Sequence, residues 1–344
     1  MSLKLRRAGS SELLRLDQIA EHLNLRCRPD DEGFSEAATR AVMRKIKPII
    51  DRAKPETGEQ LVQALAEASR VRFESVWNDA DVVRIQHQYW KRQKEFAFVT
   101  FDEYFSDPNV DALLYKLQNA HPEDDSEYVA VLNLRKSKWR EYWDKCHELT
   151  HRIAEPPQKT FLFRSHPSER FSPVEQFTDL VASKLAFYPP LFVPIVRAFS
   201  RKGDLSIEVI EAIRQMYAPS ASLQSVANAV VNAWPQPALL LVAEMRGRIQ
   251  QGRPTDREVA LRVSVHATNE FANAAQIQFF PNMRVPDTSP IWPAFHEKRE
   301  VTDEENLFDW KTSKGDRLTA MPVVTSAKGF GKAAYAVVSL LDAA

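Results

Sequence analysis

The sequence predicts an α+β protein of several domains, and three observations support this prediction. Apolar residues recur mostly with helical spacing from about residue 11 to about residue 250. Strand-like segments rich in β-branched residues follow residue 259. A polar stretch, QQGRPTDRE at residues 250–258, separates these two parts and is the best candidate for a linker.

Composition narrows the class of protein. With 44% hydrophobic and 27% charged residues, the 344-residue chain has enough apolar material for the cores of two or three domains. Lys+Arg and Asp+Glu are equal at 46 each, so no net charge steers the whole protein towards nucleic acid or a membrane. The phosphate-binding loop G-x-x-x-x-G-K-[ST] and the dinucleotide-binding loop G-x-G-x-x-G are both absent from the sequence.

The sequence predicts a cytoplasmic protein. It contains no apolar run of about 18 residues that would predict a transmembrane helix. The start, MSLKLRRAGSSELLRL, lacks the continuous apolar core of a secretory signal. Two cysteines, Cys27 and Cys146, are too few for a disulfide framework, and they suit a reducing compartment.

Three helices are predicted at the start of the chain. SSELLRLDQIAEHLNL has a cap at Ser10 or Ser11, and SEAATRAVMRKIKPIIDRA and TGEQLVQALAEASRV repeat its helical spacing. EFAFVTF, residues Glu95–Phe101, predicts a short strand, and EYVAVLNL, residues Glu127–Leu134, predicts a second strand.

The second strand leads directly into a predicted helix, RKSKWREYWDKCHELTHRIAE. Its apolar residues fall at i, i+3, i+4, i+7, i+10 and i+14: Trp139, Tyr142, Trp143, Cys146, Leu149 and Ile153. Pro156 and Pro157 end this helix. After a loop, VEQFTDLVASKLAFYPP predicts a further helix that Pro173 starts and that Pro189 and Pro190 stop.

Residues 191–255 are predicted to be helical. LSIEVIEAIRQMYAPSASLQSVANAVVNAW has the spacing of a helix-turn-helix, but its one basic residue is Arg214. A helix that reads a DNA groove normally carries more basic residues, so we interpret this segment as packing. VALRVSVHAT, AQIQFF, TAMPVVTSA and KAAYAVVSLL then predict the strands of a small α/β or α+β domain.

The predicted helix before Pro156 carries the motif H-E-x-x-H. His147 and His151 lie one turn apart on one face, so both imidazoles can reach one metal ion. Glu148 lies about 100° round the helix from His147, where it suits a general base acting on a bound water better than a ligand. The motif therefore predicts a catalytic zinc site, the alternative being a chance occurrence on a polar face.

A third ligand is predicted on the next helix. The metzincin class is excluded because Ala154 and Pro157 stand where its glycine and histidine belong. Glu175 would complete a His₂Glu set and leave one position open for water. Asp179, one turn later, could accept a hydrogen bond from a ligand histidine and fix its tautomer. The alternative for both acidic residues is a solvated helix face.

HELTH followed by EQFTDLVASKLAFYP resembles the ImmA/IrrE family of zinc metallopeptidases. That family typically shows H-E-[LI]-G-H, then E-x-x-A-[DN]-x-F-A and a proline that closes the helix. The second motif is filled here by Glu175, Thr178, Asp179, Val181 and Ala182. The departures are Thr150 for glycine, Thr178 for alanine and Val181 for phenylalanine, and none is a metal ligand.

Glu155 stands where family members often carry a further histidine, so the resemblance does not supply an extra ligand there. The motif match covers Cys146–Pro190, and beyond it only the order of elements is similar to IrrE and to CapP-type proteases. The resemblance implies a zincin-like metallopeptidase domain with a small sheet at residues 1–190. It also implies a helical, helix-turn-helix-like segment at 191–255 and a GAF-like sensor domain at 256–344.

The resemblance further implies a zinc endopeptidase of narrow specificity with one Zn²⁺ per chain. Members of the family cut a helix-turn-helix repressor and so switch on a stress-response or anti-phage defence operon. Single-stranded DNA or a small molecule is the expected activator, and no membrane partner is expected. A peptidase of broad specificity is a further hypothesis, but the regulatory character expected of the C-terminal domain argues against it. The main alternative is a zincin-like sensor or DNA-associated regulator without turnover, and the oligomeric state stays open.

Several other residues have both a functional and a purely structural interpretation. His166, Tyr142 and His121 could stabilise the transition state, but each also suits a loop or surface position. Basic and aromatic residues are mixed in two stretches, NLRKSKWREYW and QYWKRQKEF. Such a mixture is typical of surfaces that bind single-stranded nucleic acid. The alternative is a helix face on which long basic side chains cover an apolar stripe. Cys27, between Arg26 and Arg28, is a candidate inhibitory thiolate for the open zinc position, the alternative being a buried bystander.

Overall fold

The computed structural model describes residues 10–106, 110–118, 125–135, 137–156, 162–165, 172–247, 249–250, 253–254, 259–277, 279–312 and 315–341. The chain divides into two compact units, which are described separately. Unit 1 comprises residues 1–191 and 220–222, and unit 2 comprises residues 192–219 and 223–344. The fold is α+β, as the sequence predicts, because helices accompany a separate small sheet in each unit.

Unit 1 begins with helices α1 (Ser10–His22), α2 (Phe34–Ala53) and α3 (Gly58–Ser69). Each buries an apolar stripe at helical spacing, as Ala38, Val42 and Ile46 of α2 do. Helix α3 starts at Thr57, whose side-chain oxygen accepts a hydrogen bond from the backbone N–H of Gln60. The three helices agree with the sequence prediction.

The sheet of unit 1 contains β1 (Val71–Val76), β2 (Val110–Lys116), β3 (Tyr128–Asn133) and β4 (Leu162–Ser165) in the order β1-β3-β2-β4. Strand β1 is parallel to β3, whereas β2 is antiparallel to both β3 and β4. All six residues of β3 are buried, which explains its continuous apolar sequence.

The predicted strand at Glu95–Phe101 is wrong. The segment between β1 and β2 contains α4 (Asp79–Gln86), a π-helical turn at His87–Arg92, a 3-10 turn at Phe96–Thr100 and α5 (Phe101–Ser106). Phe98, Phe101 and Phe105 are buried on one side of these turns, with successive ring centroids 5.2 and 4.5 Å apart. Their spacing is helical, and packing of the three rings overrides the β propensity of the segment.

Helices α6 (Glu141–Ala154) and α7 (Pro173–Ala186) pack against each other, and α6 also packs against α3, β2 and β3. Helix α6 follows a 3-10 turn at Lys138–Arg140 and ends where the residue before Pro156 becomes extended. Pro173 occupies the first turn of α7, as predicted. Helix α7 ends at Ala186, before the predicted stop, and Pro189 instead begins the next helix, α8 (Pro189–Ser200).

Unit 2 contains α9 (Ile207–Tyr217) and α10 (Leu223–Ala233), followed by a five-stranded antiparallel sheet. Its strands in sheet order are β8 (Ala260–Thr268), β5 (Ala238–Arg246), β11 (Ala333–Leu340), β10 (Pro322–Phe330) and β9 (Glu300–Asn306). Helices α11 (Glu270–Ala274) and α12 (Ile291–Glu297) lie between β8 and β9 in the chain. Helices α9 and α10 pack against strands of this sheet, in agreement with our interpretation of the helix-turn-helix-like segment as packing.

Two sequence expectations for unit 2 are corrected. Residues 238–246 form a strand, whereas the sequence predicted a helix. The run ALLLV is buried on both faces, so its sequence has no periodicity that separates a strand from a helix. The expected linker at 250–258 joins neighbouring strands of one sheet, and its described residues form the short pair β6 (Ile249–Gln250) and β7 (Arg253–Pro254). Residues 223–344 belong to unit 2, and the predicted domain bounds after residues 190 and 255 stay predictions.

AQIQFF was expected to be a strand, but its described residues belong to no ladder. Ile277 and Phe279 instead fill the core of unit 2. The GAF-like nature of the C-terminal region stays a prediction. Within the described residues, no single helix is long and apolar enough to cross a membrane, although α7 and α8 pass that test as a bent pair by length and composition.

Candidate metal centre

Two histidines and a glutamate meet in unit 1. His147 and His151 of α6 are 0% and 3% exposed, and Glu175 lies in the first turn of α7. The two Nε2 atoms are 3.0 Å apart. Glu175 places Oε2 at 3.1 Å from Nε2 of His147 and Oε1 at 3.5 Å from Nε2 of His151. Among the described residues, these three form the group whose ligand atoms could hold a metal ion.

The spacing of the donor atoms fits a small four-coordinate ion. With bonds of about 2.0–2.1 Å at tetrahedral angles, neighbouring donors would be about 3.3 Å apart. The observed separations of 3.0, 3.1 and 3.5 Å bracket this value, and the last two involve different oxygens of the Glu175 carboxylate. Two imidazole nitrogens and one carboxylate are three of the ligands that such an ion takes, and the described residues add no fourth to the group.

The elements that carry these side chains fix their positions. His147 and His151 are four residues apart on a helix buried between α3, α7 and the sheet, so their rings lie on one face with centroids 4.7 Å apart. The Ser172 side chain accepts a hydrogen bond from the backbone N–H of Glu175, which caps α7 and holds the carboxylate in its first turn.

Asp179 lies beside His147, with Oδ1 at 3.0 Å from Nδ1. A hydrogen bond from Nδ1–H to this carboxylate leaves the lone pair of Nε2 directed at the ligand group. The Asp179 side chain is 50% exposed, so water can reach this contact. The placement is the one that the sequence suggested, and its effect on a metal stays a prediction.

His151 has a corresponding contact, which we did not predict from the sequence. The Nδ1 atom of His151 makes a short hydrogen bond with Oε1 of Glu155, the residue four positions later. Nη2 of Arg15, on α1, donates to both oxygens of this carboxylate at 3.2 and 2.9 Å. The i,i+4 spacing after His151 could have indicated Glu155, but no sequence signal connects Arg15 with it.

The buried charged groups of the site shift one another's pKa values. Burial lowers the pKa of His151, but the nearby Glu175 and Glu155 carboxylates outweigh it and raise that pKa well above its usual value. Burial raises the pKa of Glu175, and the two histidines outweigh this and hold it well below the usual range. Burial also raises the pKa of Glu155, but His151 and Arg15 outweigh burial, so that pKa is lowered as well. These pKa shifts favour a protonated His151 beside the ionised carboxylates of Glu175 and Glu155.

Glu148, the predicted general base, is 1% exposed on α6 between the two histidines in sequence. Its catalytic role stays a prediction. Tyr142 is 1% exposed, and its hydroxyl donates to the carbonyl of Ala186 at 2.6 Å, so it ties α6 to the end of α7. This hydrogen bond counts against a role in the transition state. His166 and His121 lie outside the described residues.

The two cysteines differ in environment. Cys146 is fully buried on the apolar side of α6, and burial raises the pKa of its thiol. Cys27 is partly exposed in the turn between α1 and α2 and is not in the group of converging ligand atoms. In this conformation its thiol is therefore not a ligand, and the inhibitory thiolate stays a prediction.

The basic and aromatic stretches are partly exposed in unit 1. Trp139 is 43% exposed with the Lys138 ammonium 4.7 Å from its ring centroid, and Phe96 is 72% exposed with its ring 5.0 Å from that of Trp90. These contacts suit either lysines covering apolar surface or base stacking, so nucleic-acid binding stays a prediction.

Comparison with known proteins identifies no family for this chain. Neither family models nor curated proteins match the chain. A solved structure described as a Mycobacterium tuberculosis transcriptional regulator is similar over 96% of this chain and 81% of that one, with 11% identity and a TM-score of 0.41. Such a likeness is too slight to carry a function from that protein to this one.

Proposed function

We propose that the protein is a zinc-dependent endopeptidase of narrow specificity. The observation that carries this proposal is the meeting of His147, His151 and Glu175, with donor atoms 3.0–3.5 Å apart. Two imidazoles, one carboxylate and an open fourth position are the ligand pattern of catalytic zinc, whereas structural zinc sites are closed by four protein ligands.

The residues around the ligands suit hydrolysis of a peptide bond. When bound, zinc would polarise the scissile carbonyl and make a water acidic enough to attack near neutral pH. Glu148 would accept the proton of the attacking water and later give it to the departing amine. Asp179 and Glu155 would hold the two ligand imidazoles in the tautomer that directs Nε2 inwards.

The substrate proposal rests on the resemblance to the ImmA/IrrE family. By that resemblance, the protein would cleave a helix-turn-helix repressor and so derepress a stress-response or defence operon. Residues 256–344 would then contribute a sensing region whose signal is single-stranded DNA or a small molecule. The non-catalytic regulator is the outcome to expect if zinc binds but no cleavage occurs.

The test combines metal analysis with cleavage of the helix-turn-helix protein encoded next to the gene. Wild-type protein should carry about one zinc per chain and cut this substrate, whereas Glu148→Gln should keep zinc and lose cleavage because the base is not a ligand. Glu141→Gln is the matched control, since this carboxylate of the same helix pairs with Lys145 and is partly exposed. Cleavage by Glu148→Gln at the wild-type rate would refute the mechanism, and zinc-loaded protein without cleavage would favour the regulator.

A further inference from the structure

We propose that Arg15 and Glu155 are positioning residues that couple the N-terminal helix α1 to the metal ligand His151. This inference rests on the proposed zinc site, but it concerns metal affinity and not peptide cleavage. Arg15 is 140 positions from Glu155, so the contact joins the start of unit 1 to the end of its metal-binding helix.

Glu155 is held from two sides at the end of α6. Its backbone N–H donates to the carbonyl of His151 at 3.0 Å, which places its side chain directly after the last turn of the helix. One carboxylate oxygen contacts Nδ1 of His151, and Arg15 donates to both oxygens. The orientation of the His151 ring is therefore set through Glu155 by a side chain on α1.

Burial makes the arginine necessary. The Glu155 side chain is 2% exposed, and a buried carboxylate is costly unless it is paired and hydrogen-bonded. Arg15 meets both needs, because its Nη2 donates to both carboxylate oxygens and brings a positive charge to them. Lys45 of α2 binds elsewhere at this helix end, with Nζ at 2.9 Å from the carbonyl oxygen of Ile153.

The two ligand histidines are thus supported unequally. Asp179, beside His147, is 50% exposed, so water can replace its hydrogen bond at small cost. Water cannot easily reach the 2% exposed Glu155 beside His151. Loss of the Glu155 contact should therefore weaken metal binding more than loss of the Asp179 contact.

The contact could instead only fasten α1 to the rest of unit 1. In that case, removing Arg15 would lower the stability of the metal-free protein but leave intact protein with wild-type metal affinity. A positioning role additionally changes the geometry at the metal, and the visible absorption spectrum of bound Co²⁺ reports that geometry.

The experiment measures Zn²⁺ affinity by competition with a chelator, the Co²⁺ spectrum at saturation, and the melting temperature of the metal-free full-length protein. The variants are Glu155→Gln, Arg15→Met and their combination. Arg40→Met is the matched control, because this arginine of α2 also pairs with a glutamate, Glu36, but both side chains are exposed at 61% and 74%.

We expect Glu155→Gln to lose about 10- to 100-fold in zinc affinity and Arg15→Met about 10-fold, each with an altered Co²⁺ spectrum. The double variant should be no weaker than Glu155→Gln, because both substitutions break one chain of contacts. Arg40→Met should match the wild type. If Arg15→Met does not fold, the isosteric Glu155→Gln decides.

Wild-type affinity and an unchanged spectrum in folded Glu155→Gln or Arg15→Met would overturn the inference while leaving the zinc site intact. Additive losses in the double variant would also overturn it, since the two residues would then act separately. Wild-type protein that binds no zinc would overturn the proposed function together with the inference.

Discussion

Substitution of Tyr142 by phenylalanine removes one hydroxyl from the interior of unit 1 and leaves the ring in place. The hydroxyl donates at 2.6 Å to the carbonyl of Ala186, and both residues are almost completely buried. Ala186 is the last residue of α7, so its carbonyl belongs to the helix end that has no partner within the helix. The variant therefore leaves a buried acceptor without this donor.

The size of the effect follows from that burial. A typical hydrogen bond contributes about 0.5–1.5 kcal/mol net, whereas a buried polar group left without its partner costs about 1–3 kcal/mol. We expect the free energy of unfolding of unit 1 to fall by about 1–3 kcal/mol. Zinc content and the cleavage rate of folded protein should stay at wild-type levels, because the hydroxyl is engaged away from the ligand atoms.

The assay is denaturant unfolding followed in parallel with zinc content and cleavage. Tyr128→Phe is the control, because the cations of Lys116 and Arg152 lie over the face of this buried ring and phenylalanine keeps that face. Unchanged stability together with lost cleavage would refute the reasoning and assign Tyr142 to the reacting atoms.

Three further predictions concern single carboxylates. Glu175→Gln should weaken zinc binding by more than about 100-fold, beyond the loss expected for an outer contact; tight, full zinc in this variant would remove Glu175 from the ligand set. Asp179→Asn should lower zinc affinity or the cleavage rate by about 10-fold, and unchanged values would return Asp179 to a solvated face. Burial raises the pKa of Glu305, although Thr325 and Trp310 donate hydrogen bonds to its carboxylate. The contribution of Glu305 to the free energy of unfolding is therefore present below its pKa in the unfolded chain and is lost as pH rises through its pKa in the folded protein. Glu305→Gln should accordingly stabilise unit 2 at neutral pH, with a gain that vanishes near pH 4 in thermal unfolding; a gain that does not change with pH would contradict this.

The meeting of His147, His151 and Glu175 was largely predictable because its information is local. Two histidines one turn apart on a helix need no tertiary knowledge, and a glutamate just inside the next helix follows from the ligand chemistry. The contact between Arg15 and Glu155 depends on how α1 packs against the rest of unit 1, and no pattern in the sequence encodes a pairing across 140 positions.

The fold was less predictable where burial removes periodicity. Residues 238–246 are apolar on both faces, so helix and strand could not be separated from the sequence. At Phe96–Thr100 the propensity for a strand was overridden by ring packing of Phe98 with its neighbours. In contrast, Ala260–Thr268 and Ala333–Leu340 were found from their β-branched sequences.

The position of β11 in the sheet of unit 2 has a consequence for synthesis on the ribosome. Strand β11 lies at the centre of the sheet, between β5 and β10, although it is the last of the five strands to be translated. Strand β5 must therefore wait about 90 residues for one of its two neighbours, and at about 5–20 residues per second this delay lasts several seconds. Until then the backbone N–H and C=O groups on that edge of β5 lack their partner strand, which exposes the nascent sheet to pairing with other chains.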